Sequence, residues 1–168
     1  MKQPWGRYAD GHPISMEAFK RLASVSPNGV LDVFASDQHG SYIALLNSFL
    51  ANSATPRTAG NDDVRRATNA FAAALNGTVT AALFNHLSYT TPKFRDQLGT
   101  DTYLIGRLEA SATENVDGGA GKIAKLEVPP EQAVEFVDGF KTLVNLNPDH
   151  RDSWDQNRDW LADVAERC

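Results

Sequence analysis

Short, continuous apolar runs alternate along this chain with longer stretches in which apolar residues recur every three or four positions. Runs of the first kind read as buried strands, and stretches of the second kind as helices with one face turned to a core. Residues 1–14 mix Gly, Pro, Trp and Tyr without a period and predict a loop or cover segment. Ser15–Ser24 predicts an amphipathic helix, with Met16, Phe19, Leu22 and Ala23 on one face. A turn signal, Ser26-Pro-Asn-Gly, precedes a first strand over Val30–Ser36. Ser41–Ala51 then carries Ile43, Leu46, Asn47 and Leu50 at helical spacing. The polar stretch 52–61, with Pro56 and Gly60, is a loop. Asn61 or Asp62 can cap the next helix, because a short side-chain acceptor there satisfies free backbone N–H groups. That helix ends near Leu75, where Asn76-Gly77 stops it.

The second half repeats the alternation. Thr78–Phe84 predicts a second strand, ending in Asn85-His86, and Lys93–Leu98 a short helix. Thr102–Leu108 predicts a third strand. Ala112–Lys122 is Gly-rich and polar and predicts a loop. Ile123–Val128 fits no single period, and Pro130–Gly139 predicts a short helix or turn with Val134, Phe136 and Val137. Lys141–Leu146 predicts a fourth strand, and Ser153–Cys168 a final helix with Trp154, Leu161, Val164, Ala165 and Cys168 on one side. Strands separated by helices argue for an α/β protein with a parallel sheet. Residues 1–168 contain neither an internal repeat nor a linker, so one domain is expected. An open doubly wound sheet and half of an eightfold barrel both fit four such units; a whole barrel takes about 200–250 residues. A half barrel exposes two edge strands and one apolar face, which predicts pairing with another copy or a truncated chain.

Composition narrows the functional classes. With 42% apolar and 22% charged residues the chain is a folded globular protein. A net charge of −5 argues against sequence-independent nucleic-acid binding, which needs a basic face. No apolar run reaches the roughly 18–20 residues of a membrane span. The opening Met-Lys-Gln-Pro-Trp-Gly-Arg lacks the apolar centre of a signal peptide, and a cytoplasmic location is expected. The single Cys168 excludes a disulfide framework and a multi-cysteine metal site.

Chemistry is expected where strands end, because α/β sheets keep their ligands at the C-terminal rim. The first strand ends abruptly in Asp37-Gln38-His39-Gly40. Asp37 can accept a proton or orient a hydroxyl or a lysine, and Gln38 offers a donor and acceptors to a sugar oxygen. Helix capping by Asp37 is the plainer alternative. Lys141 opens the fourth run, where an exposed lysine at the foot of a strand is the simplest reading. Lys125, in Ala-Lys-Leu-Glu-Val-Pro-Pro, reads as a surface lysine unless an apolar pocket strips its proton. Lys122 follows Gly118-Gly-Ala-Gly121, but Val116 and Ile123 break the phosphate-loop pattern. His12, His39, His86 and His150 lack metal-ligand spacing; His86 and His150 follow strand ends and could meet at one rim with a carboxylate. No metal or cofactor is expected.

Over Met16–Cys168 these features resemble the class I aldolases related to tagatose-bisphosphate aldolase and sulfofructose-phosphate aldolase, which also include an aldolase-like domain of inositol catabolism. The resemblance rests on Asp37-Gln38-His39-Gly40, the second strand ending at Asn85-His86, Lys141, and the following Asn147-Pro-Asp-His150. The family carries Arg where this chain has His39, a better bidentate donor to an anion. The resemblance implies a TIM-barrel type fold of which this chain supplies the first four β/α units. It implies a carbon–carbon lyase acting on a sugar phosphate through a lysine Schiff base, with no cofactor. Asp37, Lys141 and Lys125 become candidate catalytic residues, and Gln38, His39 and His86 candidate substrate-binding residues. Lys125 matches the family's Schiff-base context, Leu-Lys-Val-Glu-Val-Pro, but stands before the fourth strand rather than on the sixth. The family's acid/base carboxylate and Schiff-base lysine would then follow Cys168, leaving a protein inactive alone. The alternative is a non-catalytic binding or assembly protein that reuses the fold.

Overall fold

A computed structural model describes residues 16–26, 28–110, 114–116, 121–144 and 149–167. His12, Asn147 and Cys168 lie outside the described residues, as do Gly118–Ala120. In chain order the elements are α1 (Met16–Val25), β1 (Val33–Ser36), α2 (His39–Leu50), α3 (Asn61–Leu75), β2 (Ala81–Phe84), α4 (His86–Tyr89), α5 (Phe94–Leu98), β3 (Tyr103–Arg107), β4 (Glu114–Val116), β5 (Gly121–Ile123), α6 (Pro130–Ala133), β6 (Gly139–Lys141) and α7 (Arg151–Arg167). The fold is mixed α/β, with a four-stranded parallel sheet in the order β1-β2-β3-β6. Successive strands of this sheet are therefore neighbours in it, with the β4–β5 pair standing between β3 and β6 in the chain. The reversal of strand order that marks a doubly wound sheet does not occur among the described strands.

Side chains of a strand alternate between faces, and the register sorts them. Phe34, Ala82 and Leu104 stand side by side, with Ser36, Phe84, Gly106 and Phe140 two positions further on. This face carries the buried cluster, to which Ala72 of α3, Tyr89 of α4, Phe94 and Leu98 of α5, Ala133 of α6 and Val164 of α7 all contribute. Phe84 meets Phe94 edge to face, ring centroids 4.9 Å apart. On the opposite face Ala35, Leu83, Ile105 and Gly139 share a row. That face is less covered: Ala35 is exposed, while Leu83 and Ile105 are half-buried. α2 buries none of its residues, and Leu45 and Phe49 on it are exposed.

Helix boundaries follow the local signals. Gly60 precedes α3, and its N–H donates to the Asp63 carboxylate at 3.0 Å. Asn85 caps α4 through its side-chain oxygen, which accepts from the Ser88 N–H. At the N-terminal end of the sheet Asp138 ties three elements together. It accepts from Arg21 of α1 and from the Leu104 N–H, and it faces Arg95 of α5 at 2.9 Å.

Two expectations need correction. The Gly-rich stretch Ala112–Lys122 is not loop throughout: Glu114–Val116 and Gly121–Ile123 pair antiparallel as a hairpin. Buried Asn157 of α7 secures that hairpin, accepting from the Ala124 N–H at 3.0 Å and donating to the Lys122 carbonyl at 2.6 Å. The fourth strand is Gly139–Lys141 rather than Lys141–Leu146, so Lys141 closes the strand instead of opening it. The physical reason is pairing. Gly139, Phe140 and Lys141 align with Ile105, Gly106 and Arg107 of β3, whereas Thr142–Val144 form no ladder.

Candidate functional site

Because all four strands run in parallel, their C-terminal ends meet at one rim. Asp37 directly follows β1, Asn85 follows β2, Arg107 ends β3 and Lys141 ends β6. Beyond Arg107 the chain stays extended: Glu109 bridges antiparallel to Leu126, the Ala110 N–H donates to the Lys125 carbonyl, and the Glu127 N–H to the Leu108 carbonyl. This pairing fixes Glu109 above β3 and brings Glu127 beside it.

The centre of the rim is Lys141. Its ammonium donates to Asp37 Oδ2 at 3.0 Å and to Glu109 Oε1 at 2.5 Å. Three strands thus converge on one nitrogen through residues far apart in sequence. Burial of the amine works against its charge, but the hydrogen bonds and attraction of Glu109 and Asp37 outweigh it, so the lysine titrates above its ordinary 10.5. It is an ammonium at neutral pH, a donor of charge and hydrogen bonds rather than a nucleophile.

A small open cavity of about 280 Å³ lies here, its polar lining supplied by Asp37, Gln38, Ser41, Arg107, Glu109 and Lys141. Gln38 is exposed and accepts from the Ser41 hydroxyl at 3.0 Å. The Ser36 hydroxyl bonds that of Tyr42, tying the end of β1 to α2 beneath Asp37.

Beside the cavity stands a second polar group. Arg107, 4% exposed, donates to Glu127 Oε2 at 2.7 Å, and His86 Nδ1 stands 3.3 Å from the same oxygen. The Tyr89 hydroxyl donates to the Arg107 carbonyl, and burial raises that phenol well above its usual range. The His86 ring lowers the Glu127 carboxyl most, burial opposes it and Arg107 reinforces it, bringing the group from 4.5 down to about 2. A depressed carboxylate contributes stability that is present above pH 4.5 and lost as pH falls from there toward 2. Solvent reaches part of this side chain, so the loss expected over that window is only about 1–2 kcal/mol. Glu127→Gln is expected to flatten this acid limb in denaturant unfolding measured across the window; an unchanged slope would show that the cluster is not formed.

The remaining sequence candidates are dispersed. His39 opens α2, and its Nε2 lies 3.1 Å from Asn61 Oδ1, away from the cavity lining. Lys125 is exposed and does not line the cavity. His150 offers its backbone carbonyl to Trp154 and Ser153 at the start of α7. Among the described residues no group of three His, Cys, Asp or Glu is placed to hold a metal ion, and no helix is long and apolar enough to cross a membrane. Glu109 and Arg107 were not evident from sequence. The available signal was the one that gave Asp37, an apolar run ending in polar residues, here Arg107-Leu-Glu109. No protein-family model matches the chain, and no curated protein matches it significantly.

Proposed function

We propose that the rim cavity binds the carbonyl-bearing end of a small hydroxylated compound, a phosphorylated ketose or a close relative, in a protein of class I aldolase type. The observation that carries this reading is the Lys141 ammonium held between Asp37 and Glu109 where β1, β3 and β6 end. Such a group can polarise or anchor a ligand oxygen, while the carboxylates accept hydrogen bonds from hydroxyls or take up a proton. In this reading Asp37 orients the lysine or assists proton transfer, and Gln38 and Lys141 hold substrate oxygens. The strand order supports the barrel component of the proposal. Four parallel strands whose sheet order follows their chain order, with helices packed on one face and the other less covered, are what half of an eight-stranded barrel would present.

The state of Lys141 favours a second reading, binding without covalent catalysis. A Schiff-base lysine attacks as the neutral amine, and Lys141 is held charged. No other lysine among the described residues lines the cavity. In the first reading, the nucleophile is therefore a group outside this lining.

The test is incubation with dihydroxyacetone phosphate, followed by amide shifts in NMR and then by borohydride reduction and intact mass. The expected result is binding at Asp37, Glu109 and Lys141 with no stable adduct on Lys141 or Lys125. An adduct on either lysine would overturn the assigned role of Lys141 and the non-covalent reading. Absence of any binding would remove the aldolase-type proposal.

A further inference from the structure

Resting on that reading, the structure also says which part of a ligand this cavity takes. We propose that Glu109 is its specificity-determining residue: the carboxylate oxygen not used by Lys141 accepts a hydrogen bond from the hydroxyl of an uncharged hydroxycarbonyl group, and the ligand's anionic group lies outside the cavity.

Three observations lead there. Glu109 is 7% exposed, and its Oε2 is buried with no hydrogen-bond partner, while Oε1 is taken by Lys141. A buried carboxylate oxygen without a donor is costly, and native proteins satisfy such groups with water or ligand. The last side-chain torsion of Glu is broad and nearly two-fold. Either oxygen can hold Lys141 and leave the other as the spare acceptor of a residue that lines the cavity. The neighbouring Arg107 carries the matching feature, a buried Nε with no acceptor. A spare acceptor and a spare donor on two residues that line one cavity suit a hydroxyl beside a carbonyl.

The charges decide what stays out. The ionisable groups of the lining are two acids, Asp37 and Glu109, and two bases, Arg107 and Lys141. Both bases are already engaged, Lys141 by two carboxylates and Arg107 by Glu127. Around Lys141 the local sum is one positive against two negative charges. A phosphate entering here would compete with carboxylates that the protein has already placed, and would meet their repulsion. A neutral hydroxycarbonyl meets no such barrier.

The experiment compares dihydroxyacetone, dihydroxyacetone phosphate and inorganic phosphate as probes in amide-detected NMR titrations of the wild-type chain and Glu109→Gln. Gln keeps the shape and an oxygen for Lys141 but turns the spare acceptor into a donor. Far-UV circular dichroism and the thermal midpoint establish that the variant is folded, and Glu109→Asp, which keeps the charge, serves as the second variant. We expect both carbonyl compounds to shift the amides of Asp37, Glu109 and Lys141, and inorganic phosphate to leave them still. Glu109→Gln is expected to weaken dihydroxyacetone about tenfold or more, as for loss of one hydrogen bond to a charged group, with Glu109→Asp in between. Unchanged affinity in Glu109→Gln, or saturation of these amides by inorganic phosphate, overturns the inference while the carbonyl-binding reading stands. Failure of the wild-type chain to bind either carbonyl compound overturns both.

Discussion

Phe84→Ala is expected to cost about 3–5 kcal/mol, the range for deleting a fully buried phenyl ring. Phe84 is 0% exposed and lies on β2, flanked by β1 and β3. It stacks edge to face on Phe94 and tilts against Phe34, 6.3 Å away between centroids. Its strand neighbours Ala81 and Ala82 are too small to fill the space left behind. The cost therefore combines lost transfer energy, lost ring contacts and a cavity that cannot collapse. Domains of this kind hold only about 5–15 kcal/mol of net stability, so the variant sits near the edge of folding. Urea unfolding with an unchanged slope should report the loss directly, and a thermal scan a fall of roughly 10 °C. A loss below about 1 kcal/mol would mean that the layer between the sheet and α5 is not packed as described. Because Asn85 and His86 follow Phe84 directly, a loosened β2 should also blur the rim.

The parts legible in the sequence were those governed by local signals. α3 runs from Asn61 to Leu75 and stops at Asn76-Gly77 as expected, but its N-cap is Gly60 rather than Asn61 or Asp62, and Asp63 reaches back to the Gly60 N–H instead. Asp37 was found because one apolar run ends in three polar residues. Lys141 shows where that logic stops. Its apolar follow-on, Thr142-Leu-Val, has the composition of a strand, yet the ladder begins two residues before Lys141 and covers Gly139–Lys141. What selects that register is tertiary. A Cβ at Gly139 would lie 2.6 Å from the Tyr103 hydroxyl, and one at Gly106 would lie 3.0 Å from both Tyr89 and Val137. A side chain at Gly139 would push the Tyr103 ring aside, and one at Gly106 would press on Tyr89 and Val137, so glycine at both positions eases the close approach of β3, β6 and their neighbours. No reading of residues 139–146 alone contains Tyr103. The hairpin was hidden likewise, since its short strands draw support from Asn157 of α7, more than thirty residues away. Glu109 escaped because it follows the end of β3 and is fixed there by Leu126, a partner supplied from beyond the hairpin.

Lys141→Met is the variant expected to change the site most. It removes the one cation shared by Asp37 and Glu109, and leaves a buried carboxylate facing another with nothing between them. Truncating one member of a buried charge group costs about 3–5 kcal/mol. Lys141 is 32% exposed in its side chain, so solvent screening lowers the expectation here to about 2 kcal/mol at neutral pH. The pH dependence separates this cause from simple loss of packing, which has none. In the variant, protonating either carboxylate ends their repulsion, so its deficit against the wild-type chain should shrink as the solution is acidified. At the alkaline end the deficit shrinks as well, now because the wild-type chain loses stability. The raised wild-type lysine contributes stability that is complete below 10.5 and is lost as pH rises through its higher folded value. The wild-type chain should therefore lose stability there through this group, and Lys141→Met should not. Ligand binding at neutral pH should fall with the loss of the charge, since neither Asp37 nor Glu109 can supply a donor to a carbonyl oxygen when ionised. Unfolding curves from pH 4 to about 11 for both proteins give the comparison. A deficit that stays constant across that range would mean that Lys141 contributes through its methylene stem, and the ion-paired centre on which the functional proposal rests would be withdrawn.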